Sequence, residues 1–151
     1  FTQQIETDIA EIEILIAEEI PETEKEQLVR SRRGQGLFRQ RVLQIESQCR
    51  LTGVTDQSFL IASHIKPWKD CVNAERLDGS NGLMLAPHID KLFDRGWISF
   101  SDNGDLLSAL GAEQVMAAWN IDPNKNVGKF HPEQCNYLDH HRSMVFKGVC
   151  L

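Results

Sequence analysis

From Ile5 onward the apolar residues Ile9, Ile12, Ile16 and Ile20 recur at spacings of three and four, with Leu15 beside them. That stripe predicts an amphipathic helix stopped by Pro21, its other face almost wholly acidic. A second helical pattern, Leu37, Phe38, Val42, Leu43 and Ile45, is interleaved with arginine and glutamine and is expected to begin after Gly36. Leu60 to Ile65 forms a short apolar run ended by Pro67, and Gly82 to Leu85 a second one after a loop rich in Asp, Asn and Gly; both read as strands. Pro87 then opens a short helix that Gly96 stops. Trp97 to Ser101 alternates like a strand, Asn103-Gly104 signals a type I′ hairpin, and Asp105 to Ala109 is the expected return strand. A helix around Glu113 to Asn120 follows, then a loop-like stretch holding Pro123 and Pro132, and a last apolar segment ending at Val149.

Length and composition fit one domain with a full core, 151 residues, 41% of them hydrophobic and 25% charged, and the predicted helices and strands make α+β the expected fold class. No window approaches the roughly 18 consecutive apolar residues of a membrane helix, and the start has no basic region leading an apolar block. Cys49, Cys71, Cys135 and Cys150 contain no Cys-x-x-Cys pair. They are expected as free thiols of a cytoplasmic protein.

The net charge of -6 argues against a polyanionic partner until the chain is divided. Residues 1 to 29 carry nine acids and one lysine, whereas residues 30 to 50 carry six arginines against Glu46 alone. The chain is therefore expected to divide into an acidic amphipathic helix with its linker, 1–29, and a main domain, 30–151, whose core spans about 58–96. Charge runs usually face water, so the acidic helix reads as a solvated element docked on the domain; a partner-binding or groove-shielding role is the alternative.

Candidate chemistry lies in one ordered set: a strand ending in His64, a loop closed by Asn81, a second strand, and a helix bearing Asp90 and Asp94. Four residues apart on a helix, the two carboxylates share a side and lie within reach of one hard divalent ion, magnesium or manganese in preference to zinc. His64 opposite such an ion would leave a gap for a phosphodiester.

At Ala62 to Trp68, Asn81 to Leu85 and Asp90 to Gly96 the chain resembles the HNH endonucleases of the ββα-metal superfamily. It is most similar to a bacterial branch common in restriction and defence nucleases, with further likeness at Arg33-Gly34-Gln35, Phe38-Arg39 and Cys49 to Gly53. The resemblance implies that His64 is the general base, Asn81 a positioning residue, and Asp90 a metal ligand standing where the motif carries its last His. Asp94 matches an additional ligand of colicin-type nuclease domains, and either Ser63, where many relatives place Asp or His, or water is expected to complete the set. It also implies one-metal hydrolysis of DNA, leaving 5′-phosphate and 3′-hydroxyl ends, with RNA not set aside.

Arg32, Arg33, Arg39, Arg41, Lys66, Arg95, His141 and Arg142 are the expected phosphate contacts. For the His140-His141-Arg142 cluster, neutralising Asp139 is the alternative. Trp68, Trp97 and Trp119 are too scattered in sequence for a stacking platform and are expected in the core. Two rivals remain: a nucleic-acid-binding module that keeps the fold without cleaving, motivated by Ser63, and a protein-interaction domain built on the acidic helix. No dimer interface is legible, although a two-stranded cut needs two sites; a homodimer and a domain upstream of Phe1 both stay open.

Overall fold

The computed structural model describes residues 24–148, with only the backbone described for 24–32. The acidic helix expected over Ile5 to Ile20 lies outside the described residues, as does Cys150. Helix α1, Glu24–Ile45, is longer than the sequence pattern suggests: it starts twelve residues ahead of Gly36 and runs through Gly34 and Gly36. Glycine costs a helix interior only about 1 kcal/mol, which the burial of Leu37, Phe38 and Val42 outweighs.

Strands β1, Ile61–His64, and β2, Gly82–Leu85, pair antiparallel, with His64 opposite Gly82 and Ser63 opposite Leu83. Between them the chain makes two 3₁₀ turns and one short helix, α2, Asn73–Arg76. Helix α3, Pro87–Asp94, packs against this ribbon. Its start has proline at the first position, where no amide hydrogen is required, and Ile89, Leu92 and Phe93 at helical spacing form its buried face. Its end is a Schellman turn: the amide of Trp97 reaches the Leu92 carbonyl, that of Gly96 the Phe93 carbonyl, and Gly96 sits at φ +79°. A side chain there would also collide with the Val145 carbonyl.

A separate hairpin follows, β3, Ile98–Phe100, and β4, Leu106–Ser108. Its turn is not the expected type I′. Gly104 alone in the turn has positive φ, +91°, and its amide bonds Ser101 O at 3.0 Å, as in a type I turn with a glycine bulge. The Gly104 carbonyl is taken by the Val127 amide, which pins the turn to the neighbouring segment. Helix α4, Glu113–Ala118, lies as expected.

The stretch around Pro132, expected as loop, is instead helix α5, Pro132–His140, extended by a π-turn over His141–Val145. Pro132 is the first residue of that helix, and Gln134 folds back to accept the His131 amide at 2.9 Å. Gln134 also donates to Glu46, itself buried and held by Arg50 through two bonds of 2.6 and 2.9 Å. These ties join α1, α5 and the ribbon around a core that includes Ile65, Leu83, Ile89, Phe93, Phe100 and Leu138. Among the described residues, no helix is long and apolar enough to cross a membrane.

Candidate active site

Consecutive residues of a strand face opposite sides, so Ser63 and His64 look in different directions. Ser63 is buried and faces α3, where its hydroxyl donates to the Asp90 carboxylate. Burial holds the Asp90 carboxyl above the usual carboxylate range; the Ser63 bond opposes that, and the charge of Asp94 adds to it. Asp94, one turn on, is exposed and near enough for its charge to act on Asp90. A half-buried carboxylate facing a second one is a repulsion that a cation relieves. The oxygen-only donor set therefore fits a hard divalent ion better than a soft one. Among the described residues no three His, Cys, Asp or Glu side chains gather into a metal-binding cluster, so the oxygen donors at this place are two carboxylates and a hydroxyl.

His64 is half-buried and packs against Phe38 of α1. Its ring stacks on Phe38, with centroids 3.6 Å apart and planes 7° from parallel, and meets the Trp68 ring edge-on at 5.6 Å. Gly82 makes that stack possible. It is the cross-strand partner of His64 on the same face, and a Cβ there would overlap Val42 Cγ2 and lie 2.6 Å from Phe38 Cζ. Phe38 occupies the space a side chain at 82 would take.

The Nε2 of His64 is 2.9 Å from the Arg76 carbonyl. A carbonyl only accepts, so the hydrogen belongs on Nε2 and the lone pair on Nδ1. Nδ1 has no hydrogen-bond partner among the described residues. Burial lowers the tendency of the ring to take a proton; the Arg76 carbonyl opposes this and the Arg76 charge adds to it. The resting state is the neutral ring, as a general base requires.

Asn81 is fully buried and closes the loop that supplies the Arg76 carbonyl. Its Oδ1 accepts the Lys66 amide at 2.8 Å, and its Nδ2 donates to the Glu75 carbonyl at 3.0 Å and to Cys71 Sγ at 3.4 Å. Asn81 thus ties backbone on both sides of the loop.

Most of the expected phosphate contacts have other duties. Arg39 donates to the carbonyls of Leu60 and Gln57, and Arg41 to that of Leu77. Arg142 bonds Phe100 O and Asp102, and Lys66 is paired with Glu75 at 2.9 Å. Arg33 is likewise engaged, and Arg32 lies where only the backbone is described. His141 is not part of a cationic surface. It is 1% exposed, with Nδ1 on Ser99 Oγ at 2.8 Å and Nε2 on the Phe93 carbonyl at 2.9 Å, and burial pushes its pKa down to about 4. Of the expected set, Arg95 is exposed with no side-chain partner among the described residues, and Lys91, which the sequence did not single out, is its free neighbour one turn earlier on α3. Phe38 and the Arg76 carbonyl are the other unforeseen parts. Phe38 was visible as an apolar helix position and as part of the resembling Phe38-Arg39 pair, but not as a platform for His64, and a backbone carbonyl leaves no mark in a sequence.

A two-stranded antiparallel ribbon backed by a helix, with an imidazole at the strand end and carboxylates on the helix, defines a ββα nuclease core. Residues 49–101 match the family model for HNH endonucleases, which supports assigning that segment to the family. The match points to nuclease activity on a nucleic-acid substrate and, in such nucleases generally, dependence on a divalent metal. No curated protein matches the chain.

Proposed function

We propose that the chain is a DNA endonuclease in which His64 Nδ1 is the general base, Asn81 the positioning residue, and Asp90, Asp94 and Ser63 the protein side of a metal site. The observation that carries this reading is the state of His64: one nitrogen saturated by a backbone carbonyl, the other bearing a lone pair with no internal partner. Nδ1 takes a proton from a water molecule, and the oxygen so activated attacks phosphorus as the bond to the 3′ oxygen breaks. Magnesium or manganese, when bound by the carboxylates, supplies Lewis-acid stabilisation of the charge that develops on the phosphate and leaving oxygen. Phe38 and the Arg76 carbonyl keep the imidazole in one tautomer and one orientation, so no reorganisation is needed at the moment of transfer.

Restriction or defence is the proposed setting, on the resemblance of the motifs, and RNA is the alternative substrate. The second reading, a binding module that no longer cleaves, draws on Ser63, a weak ligand at a position where a stronger one is expected. Supercoiled plasmid incubated with the full chain and magnesium, manganese or EDTA separates the two. Nicking that needs both metal and His64 supports the enzyme; binding without nicking, unchanged in His64→Ala, supports the module.

A further inference from the structure

Beside the carboxylates, on the next face of α3, lies a groove of about 190 Å³ lined by Lys91, Leu92, Arg95, Trp97, Val115 and Trp119, among others. Trp97 and Trp119 are far apart in sequence, yet the fold brings them to the same groove, contrary to the expectation that the tryptophans do not combine. Trp119 is 39% exposed, a large aromatic area to leave in water, and the ring of His88 meets it edge-on at 5.3 Å. Lys91 on α3 and Arg95 at its C-terminal cap are exposed cations at the rim of the groove and have no side-chain partner among the described residues.

These features have one chemistry in common. Cations bind phosphate, and an indole face binds a planar base. The volume equals roughly six waters at ~30 Å³ each, enough for one heteroaromatic ring but not for a helix-borne row of side chains. Position matters as much. Lys91 and Arg95 each follow an aspartate of the proposed metal site, so they stand about 100° around the helix from it. A strand whose scissile phosphate lies at Asp90 and Asp94 carries its neighbouring nucleotide toward this groove.

Resting on the nuclease reading, we propose that the groove receives an unpaired base flanking the cut, with Lys91 and Arg95 on its phosphate and Trp119 against its face, so that the substrate is single-stranded or locally unpaired DNA. In a continuous duplex both faces of each base are covered by neighbours and Trp119 has nothing to stack on.

The test measures binding of the full chain in EDTA to a fluorescein-labelled single strand, to its duplex, and to the same strand with one abasic position moved along it. The single strand is expected to bind about tenfold or more tightly than the duplex and than the strand abasic at the groove position. Trp119→Ala should erase that discrimination and Trp119→Phe retain it. Lys91→Ala with Arg95→Ala should weaken binding to every strand and flatten its salt dependence. Equal binding of duplex and single strand, or Trp119→Ala behaving as wild type, overturns the proposal. So does a change in Trp119 emission without DNA in the full chain carrying Ile9→Ser and Ile16→Ser, because the acidic segment would then be the occupant. Plasmid cleavage with magnesium is scored separately: cutting with no effect of Trp119→Ala sinks the groove and spares the nuclease, whereas discrimination in EDTA with no cutting sinks the nuclease reading.

Discussion

His64 and His141 are held almost alike. Each ring lies flat on a phenylalanine, Phe38 at 3.6 Å and Phe93 at 3.9 Å, and each has its Nε2 2.9 Å from a backbone carbonyl. They part at Nδ1. In His141 it meets the Ser99 hydroxyl, completing a buried network; in His64 it has no partner among the described residues. Stacking and a carbonyl bond therefore fix both of these imidazoles. The spare nitrogen marks the one left available for chemistry.

Exchanging the perturbations breaks or confirms that contrast. His64→Ala is expected to lower plasmid cleavage by about 10²–10⁴-fold while costing no more than about 1.5 kcal/mol of stability, the worth of a partly exposed ring contact. His141→Ala should do the reverse: about 3 kcal/mol lost in urea melts, since it opens a cavity and orphans Ser99 and the Phe93 carbonyl, with cleavage per folded molecule retained. If both variants stop cleavage at equal stability, the distinction fails.

Acid sharpens the same comparison. Burial holds His141 down to about 4 against an ordinary 6.5, so the unfolded chain binds the extra proton between those values. Stability is full above 6.5 and falls as pH drops through that window toward 4, by on the order of 3 kcal/mol, and His141→Ala should remove this slope from a series of urea melts. Gly82→Ala is expected to cost about 1–3 kcal/mol through overpacking against Phe38 and Val42, and to slow cleavage beyond the loss of folded protein because the ring under His64 must move. Asp90→Asn should weaken manganese binding at least about tenfold by calorimetry while leaving the His64 environment, followed by its imidazole NMR signals, in place.

The ββα core was legible because its elements are short, sharply punctuated and locally determined. Pro87 and Gly96 bound α3, and the apolar runs at 60–65 and 82–85 bracket a loop of turn-formers. Helix α5 was not, since Pro132 serves a helix start as readily as a loop and the deciding bond, Gln134 to the His131 amide, depends on Gln134 also meeting Glu46 across the core. The arginine-rich stretch misled for a related reason. Charge counts treat Arg39, Arg41 and Arg50 as surface, whereas each guanidinium satisfies carbonyls of another segment, Arg50 those of Gly128 and Lys129. Burial of His141 is invisible to composition, because its partner Ser99 lies on a different element 42 residues away.

The ring that steadies His64 comes from residue 38, outside the 49–101 segment that matches the HNH endonuclease family. An excised fragment limited to that segment would retain every motif letter and lose the platform beneath one of them, leaving a solvent-swept imidazole free to rotate. The smallest transplantable cutting module therefore includes the second half of α1, and any chimera joined after residue 45 should be judged by the orientation of that histidine before its catalytic output.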